Sequence, residues 1–362
     1  MIVYYIVFLI SSLFVYVGER NTGKSKKNTI LWLLAVILPA ILAGIRADSV
    51  GSDTSGYIKS IHDMCVKNVE WKLVIGAYQC EPGYYLLNYI ITRISDSFQI
   101  LLFILQVLIL APVLIACKDN EDLIEPHISY FIFLLLFYNR SLNMCRQSIA
   151  ISICMFSVRF VRKQELLKFF LCILLAMSMH RIAIVFFPVY FIFHFLQKKD
   201  GIIYKILIIS IAVGLLLFYQ TIVNKLISMG YLSIRYSYYV NGGNQNISMV
   251  ELTVKMVFLL LIMGVKNILA SRNRFNDFLI FLLVLDWLIY CLGFYANYAQ
   301  RISYYMGFFV IYLVPQVAKC VNKKQRAACM FILFTIALAF SYVYYGINGC
   351  DGTVPYKIAQ MI

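Results

Sequence analysis

Four arginines lie at or just inside the ends of strongly apolar segments: Arg46, Arg146, Arg181 and Arg301. A charged side chain at membrane depth is costly, and it usually faces a polar cavity and marks a functional site. The guanidinium group is a planar fork of donors that matches phosphate oxygens. Arginines that converge from separate helices would therefore hold a strongly anionic group, such as a lipid pyrophosphate. The alternative is that each arginine extends singly to the lipid headgroups.

His180 directly precedes Arg181 at the end of an apolar run. A neutral imidazole there can accept a proton from a hydroxyl group, and the adjacent positive charge favours the neutral form. The alternative is a buried histidine that only completes a helix end. Asp286 lies near the middle of another apolar run, where a carboxylate is typical of a proton or ion pathway. The sequence shows no partner for it.

A polar segment follows Arg46 and contains Asp48, Asp53 and Tyr57 among glycines and small hydroxyl residues. This composition predicts a tight irregular turn with donors and acceptors that can bind a sugar or order a loop. Asp53 has a second interpretation as the N-cap of a helix that begins at the next residue. The Glu81-Pro82-Gly83 sequence predicts the start of a short helix.

The composition places these residues in a membrane protein. Hydrophobic residues make up 62% of the 362, charged residues only 14%, and the mean hydropathy is +0.80. Soluble domains are about half apolar and a quarter charged, so a cytosolic enzyme, a secreted module and a disordered chain are excluded. Long apolar runs also differ from the short alternating strands of an outer-membrane barrel. The net charge of +15 is attributed to cytoplasmic loops and not to nucleic-acid binding.

The apolar runs predict an all-α polytopic protein with about twelve membrane helices. The predicted spans are 2–17, 29–45, 98–117, 124–138, 146–161, 166–180, 182–197, 203–221, 250–269, 277–296, 302–318 and 327–345. The first is not a cleaved signal peptide, because its positive charge follows it. We expect residues 1–362 to form a single transmembrane domain.

More than half of the 32 basic residues fall in short alternate loops, which predicts that these loops are cytoplasmic. Both termini would then lie outside the cytoplasm. Two long outer loops result, 46–97 and 222–249, and Arg235 lies in the second. The apolar segment 84–94 in the first loop is too short for a span, so we predict a re-entrant or surface helix.

The ten cysteines include no C-x-x-C pair, although Cys65 and Cys80 share one loop and can form a disulfide there. The sequence contains no zinc-ligand spacing, phosphate loop, dinucleotide fingerprint or nucleophile elbow. We therefore predict no metal and no cofactor.

Five segments in order resemble the EpsG family over most of the chain. They are R-A-D-S-V-G-S-D-T-S-G-Y (Arg46–Tyr57), E-P-G-Y-Y-L-L-N (Glu81–Asn88), N-M-C-R-Q-S-I-A (Asn143–Ala150), M-H-R-I-A around His180 with Pro188 downstream, and R-I-S-Y-Y from Arg301. Each segment is short, and their order makes the resemblance specific. One departure is Arg181, since the family has a small residue, often serine, after the histidine.

EpsG proteins are similar to Wzy-type polymerases, so the resemblance implies polymerisation of undecaprenyl-pyrophosphate-linked oligosaccharide units at the outer face of the bacterial cytoplasmic membrane. Donor and acceptor would both be lipid-linked, with a chain-length regulator and a flippase as possible partners. Direct displacement by the acceptor hydroxyl would invert the anomeric centre.

We assign residues to this reaction as a hypothesis. His180 is the first choice of base and Asp53 the second, while Arg146 and Arg301 bind pyrophosphate with Arg46 and Arg181 in support. The residues assigned to sugar binding or loop ordering are Asp48, Tyr57, Glu81, Asn143, Gln147 and Tyr305. Arginines can stabilise the leaving group without a metal.

Three other functions stay open. A flippase or transporter of the same lipid-linked sugar would use Asp286 on its path. A metal-dependent glycosyltransferase that uses a polyprenyl-phosphate sugar would use Asp48 and Asp53, and chelator sensitivity would separate it. A membrane O-acyltransferase would use His180, but its donor would be expected on the cytoplasmic side.

Overall fold

The computed structural model describes residues 1–20, 26–198, 201–230, 247–295 and 299–360. Within these ranges the secondary structure is helical, and an isolated antiparallel bridge joins Arg46 to Ile358. Helices are expected, because a lipid environment offers no water to the backbone polar groups of an apolar segment. Arg235 and residues 231–246 of the predicted second outer loop lie outside the described residues.

The chain divides into two compact units, Met1–Ile184 with Lys323–Ile362, and Val185–Asn322. The α-helices of the first unit are α1 (Ile2–Arg20), α2 (Lys26–Gly44), α3 (Lys59–Val66), α4 (Trp71–Tyr78), α5 (Pro82–Thr92), α6 (Phe98–Asp119), α7 (Pro126–Asn143), α8 (Cys145–Arg162), α9 (Leu166–Met179) and α18 (Lys323–Ser341). Short π-helices occupy Thr54–Ile58 and Tyr342–Ile347, and a 3-10 turn occupies Cys350–Gly352.

Helices α7 and α8 lie in the middle of the first unit. α7 contacts α1, α6, α8 and α18, and α8 also contacts α6 and α9. Both helices carry polar residues on sides that are buried, including Asn139, Arg140, Asn143 and Gln147. Because neighbouring helices cover them, these polar side chains meet protein instead of lipid. The two helices meet at Met144, and this junction carries the polar residues of the predicted site.

Ion pairs collect at the opposite end of α7 and α8. Arg162 contacts Asp122 at 2.8 Å, Arg326 contacts Glu125 at 2.7 Å, and Arg159 pairs with Asp119. These acids belong to the loop 118–127, in which the sequence has few basic residues. The contacts place that loop beside basic segments that the sequence predicts to be cytoplasmic.

The second unit is built around α15. Its α-helices are α10 (Pro188–Lys198), α11 (Ile202–Leu217), α12 (Tyr219–Ser228), α13 (Met249–Gly264), α14 (Lys266–Arg272), α15 (Arg274–Leu292), α16 (Ala299–Gly307) and α17 (Val310–Cys320). Helix α15 contacts α11, α13, α14, α16 and α17, and most of its side chains are buried.

The predicted spans coincide with helices, but several are broken where the sequence predicts one straight segment. A bend of 53° separates α11 from α12, and one of 66° separates α13 from α14. The predicted span 182–197 consists of a 3-10 helix followed by α10, which starts at Pro188 because proline suits the first helical turn. In the described residues five helices are long and apolar enough to cross a membrane, or seven if each bent pair counts once. The total of twelve stays a prediction.

Asp286 has a partner that the sequence did not reveal. Lys255 on α13 donates to both carboxylate oxygens of Asp286 on α15, each at 2.7 Å. The ammonium also lies 5.1 Å from the ring centroid of Tyr290 and 5.6 Å from that of Tyr304. A Cβ at Gly307 would approach Asp286 Oδ1 to 2.9 Å, so the glycine lets α16 lie close to the pair. The pair links three helices of the second unit.

This pair yields a prediction about stability. Asp286→Leu leaves a buried ammonium without its counter-charge, and we expect a loss of about 3–5 kcal/mol in unfolding free energy. The double variant Lys255→Met with Asp286→Leu removes both charges and should recover most of that loss. Thermal unfolding of the purified variants measures both effects. Equal destabilisation by the single and double variants would contradict a buried ion pair.

Candidate functional site

The Glu81 carboxylate joins two segments of the predicted site in the first unit. One oxygen, Oε2, pairs with the guanidinium of Arg146, and the other, Oε1, accepts a hydrogen bond of 3.1 Å from the backbone N–H of Arg181. Glu81 is only 6% exposed, so both interactions are shielded from water. Arg146 belongs to α8, whereas Arg181 follows α9. The carboxylate therefore holds together residues that are separate in the sequence.

Local sequence explains why Glu81 is available for this pairing. Helix α5 begins at Pro82, two residues before the predicted start at Tyr84. Glu81 is its extended N-cap residue, with a side chain that makes no capping hydrogen bond. Proline lacks an N–H group, which leaves one donor fewer to cap. The adjacent Gly83 lies against Ser178 of α9, where an added Cβ would come within 2.7 Å of the Ser178 carbonyl oxygen. A glycine is needed for this close approach of α5 to the end of α9.

Arg146 is held in the first turn of α8 by two aromatic rings. Its guanidinium carbon lies 4.3 Å from the ring centroid of Tyr57 and 5.9 Å from that of Tyr84. Its side chain is 23% exposed, and in the described part of the chain Glu81 is its one hydrogen-bond partner. A guanidinium offers five N–H donors. Donors therefore remain for an incoming anion.

Tyr57 is a neighbour of Arg146 and not a free stacking surface. Its ring packs against the guanidinium and, edge-on, against Tyr78 at 6.1 Å between centroids. Burial raises the pKa of its phenol well above the ordinary value, and Arg146 opposes that rise only in part. The phenol thus stays protonated at neutral pH. The contacts favour the loop-ordering role over sugar stacking.

His180 lies beside the Glu81 corner, which is the group of contacts that Glu81 makes with Arg146 and with the N–H of Arg181. It ends α9 with an extended backbone, and its N–H donates to the Ala176 carbonyl oxygen at 2.9 Å. Its side chain is buried, whereas that of the next residue, Arg181, is exposed. The backbone bond to Glu81 therefore positions this corner through main-chain atoms, and that contact is possible for any residue at 181 except proline.

Arg46 is buried and contacts backbone carbonyl groups, whereas the sequence predicts that it supports binding of a pyrophosphate. It is 1% exposed and donates to the carbonyl oxygen of Leu142 at 2.8 Å and to that of Ala43 at 3.4 Å. These carbonyls belong to the last turns of α7 and α2, where helices have unpaired acceptors. A cation there also opposes the negative end of each helix dipole. Arg46 thus caps two helix ends, and the anion-binding hypothesis loses one of its four arginines.

Asn143 orders the loop that follows Arg46. Its Oδ1 accepts from the Ser52 hydroxyl at 3.0 Å and from the backbone N–H of Asp53 at 2.7 Å, and its Nδ2 donates to Asp351 at 3.0 Å. The side chain of Asp53 is exposed and does not cap the following π-helix, so the capping interpretation is wrong. Its backbone is already helical, whereas a capping residue is typically extended. Asp48 pairs with Lys59 at 2.6 Å.

The C-terminal segment is a part of this region that sequence reasoning missed. The N–H of Gly51 donates to the Gly352 carbonyl oxygen at 2.8 Å, and that of Ala47 to the Lys357 carbonyl oxygen at 2.9 Å. Asn139 of α7 donates to the Thr353 hydroxyl at 3.0 Å. Backbone hydrogen bonds of this kind carry no residue-type signal. Residues 350–359 therefore fix the loop after Arg46 without any recognisable motif.

The remaining predicted residues are distributed as follows. Gln147 is buried one residue after Arg146. Arg301 is half-buried on α16 of the second unit, and Tyr305 on the same helix is fully buried, so its ring is not exposed for stacking on a sugar. The thiols of Cys65 and Cys80 are free and not joined, and burial raises the pKa of each to about 11. Among the described residues no three His, Cys, Asp or Glu side chains form a group that can hold a metal ion.

The comparison with protein families decides the identity of the chain. The model of the EpsG family matches residues 29–358, which is nearly the whole sequence. The chain belongs to the EpsG family. This is a family of Wzy-type polysaccharide polymerase-like proteins, and the apolar helices agree with a multi-pass membrane protein. No curated protein and no solved structure matches this EpsG protein.

In this EpsG protein, three of the segments that carry the resemblance meet at one corner. Arg46–Tyr57 contributes Tyr57, the E-P-G-Y segment contributes Glu81, and N-M-C-R-Q contributes Arg146. The segment with His180 is attached through the Arg181 N–H. A pattern spread over about 130 residues of sequence thus forms one contiguous group of contacts in space.

Gly83 provides a test of this corner. Gly83→Ala places a methyl group against the Ser178 backbone, and we expect a loss of about 1–3 kcal/mol in stability together with reduced activity. Gly76→Ala on α4 is the matched control, because nothing lies within 4 Å of a Cβ added there. Thermal unfolding and polymer yield measure the two effects. The packing argument would be contradicted if both alanine variants behaved alike.

Proposed function

We propose that this EpsG protein polymerises undecaprenyl-pyrophosphate-linked oligosaccharide units into surface polysaccharide at the outer face of the bacterial cytoplasmic membrane. The observation that carries the proposal is Arg146, a partly exposed guanidinium stacked on two rings, with Glu81 as its described hydrogen-bond partner. Such a group is suited to a phosphate anion. In a family of polymerase-like proteins, the pyrophosphate of a lipid-linked donor is the anion expected at the membrane.

In the proposed reaction the acceptor hydroxyl attacks the anomeric carbon of the donor. The bond from that carbon to the pyrophosphate oxygen breaks, and the leaving group takes the electron pair. Arg146 stabilises the charge that develops on the leaving pyrophosphate. His180 is the proposed base for the hydroxyl proton and Asp53 the second choice, and a one-step displacement inverts the anomeric centre. The exposed Asp53 lies on a loop that Asn143 holds in place.

The other three arginines differ in how well their surroundings support a phosphate-binding role. Arg181 has an exposed side chain beside the Glu81 corner and keeps its supporting role in the proposal. Arg46 is reassigned to holding the helix ends. Arg301 keeps the phosphate-binding role that its sequence motif predicts, and a separate variant must test it. The outer-face site, the lipid-linked donor and acceptor, and the extracytoplasmic termini are parts of the proposal.

The buried Lys255–Asp286 pair favours a second candidate function, a flippase for the same lipid-linked oligosaccharide. Buried charge pairs of this kind occur on transport pathways. Deletion of the gene separates the two functions. A polymerase deletion leaves single repeat units without a ladder of longer chains, whereas a flippase deletion traps intermediates on the cytoplasmic face. A metal-dependent transferase would instead lose activity to a chelator.

Arg146 gives the most direct prediction. Complementation of the deletion strain with Arg146→Ala should lower the amount of long polysaccharide by at least about 100-fold, because the leaving-group charge loses its main counter-charge. Lys67→Ala is the control, since Lys67 is an exposed cation in the same outer loop. Polysaccharide is separated by size, and protein levels are compared by immunoblot. Wild-type chain length and yield with Arg146→Ala would overturn the proposal.

A further inference from the structure

The salt bridge between Glu81 and Arg146 uses one guanidinium nitrogen, Nη1, which a pyrophosphate bound by both Nη atoms would also need. Arg146 pairs with Glu81 Oε2, and the side chain of Glu81 is 8% exposed. A carboxylate and a phosphate compete for the same planar donors of a guanidinium. To bind Arg146 through both Nη atoms, the donor therefore has to displace Glu81 from Nη1.

We infer that Glu81 is an exchanged counter-ion: it neutralises Arg146 in the empty site, and it is released to bind a hydroxyl of the acceptor sugar once the donor pyrophosphate has taken Arg146. This inference rests on the proposed function, because it concerns the order in which that reaction assembles. It assigns to Glu81 a substrate-binding role that begins only after the donor is bound.

The contacts around Glu81 and Arg146 indicate that their ion pair can separate while both side chains stay in place. Oε1 is tied to the backbone N–H of Arg181, so the carboxylate keeps an anchor when Oε2 loses its cation. Arg146 keeps its contacts with Tyr57 and Tyr84, which position its guanidinium independently of Glu81. Both groups are thus held by a second interaction. Separation of the pair costs one ion pair but leaves each partner in place.

Charge explains the direction of the exchange. A pyrophosphate carries more negative charge than one carboxylate, so it is the stronger partner for Arg146 in this partly buried site. The released carboxylate then needs a new donor, because a buried charge without a partner is costly. A sugar hydroxyl is a donor that can reach a partly buried carboxylate. The acceptor site is consequently completed by the donor, which predicts that the donor binds first.

The test uses the full-length protein in detergent or nanodiscs, with undecaprenyl pyrophosphate as the probe. Glu81→Gln keeps the size and the anchor to Arg181 but removes the competing charge. We expect it to bind undecaprenyl pyrophosphate about three- to tenfold more tightly than the wild type, a gain of at most about 1.4 kcal/mol. In polymerisation assays, its apparent KM for the acceptor should rise. Glu70→Gln, an exposed glutamate of the same loop, is the control.

The outcomes separate the inference from the function on which it rests. If Glu81 only clamps Arg146, Glu81→Gln binds undecaprenyl pyrophosphate more weakly than the wild type, and the exchange is overturned. Unchanged affinity together with an unchanged KM for the acceptor overturns it as well. If the wild-type protein binds undecaprenyl pyrophosphate and polymerises, the proposed function stands in either case. If the wild type neither binds nor polymerises, the proposed function fails.

Discussion

The pairing of Glu81 with Arg146 is the interaction on which the organisation of this region depends. A guanidinium at the start of α8, shielded on two sides by aromatic rings, is costly without a counter-charge, and Glu81 supplies one. The same carboxylate accepts a hydrogen bond from the backbone N–H of Arg181, the residue after His180. Three segments of the chain are thereby held at one corner by two carboxylate oxygens. Removal of the carboxylate would release a charge and a main-chain contact together.

A second constraint acts beside this corner. The helices α2 and α7 end close together, and the carbonyl groups of their last turns need donors. Arg46 provides them from one side chain, while the segment after α18 satisfies the loop backbone through the hydrogen bonds of Gly51 and Ala47. Asn143 then joins that loop to Asp351. These hydrogen bonds hold the loop that carries Tyr57, whose ring lies against Arg146.

The sequence predicts the helices well because apolar runs must form helices in lipid, and the predicted spans coincide with observed helices. It does not predict the breaks after α11 and α13, which lie inside continuous apolar runs. It also cannot show partners on distant helices. Asp286 pairs with Lys255, and Arg46 donates to the Leu142 carbonyl oxygen, because helix packing brings these groups together. Charge at membrane depth indicates the arginine and histidine motifs in the sequence. The bridging role of Glu81 leaves no such signal, since its local pattern indicates only a helix start.

In the proposed reaction, the positive charge of Arg146 serves the substrate and not only Glu81. A charge-swapped variant, Glu81→Arg with Arg146→Glu, tests this directly. It restores the ion pair but presents the cation from a different position and loses the anchor to the Arg181 N–H. We predict that thermal stability recovers above that of Arg146→Glu alone, while complementation of the deletion strain yields no polysaccharide ladder. A full ladder from the swapped protein would contradict the account, because the pair would then be purely structural.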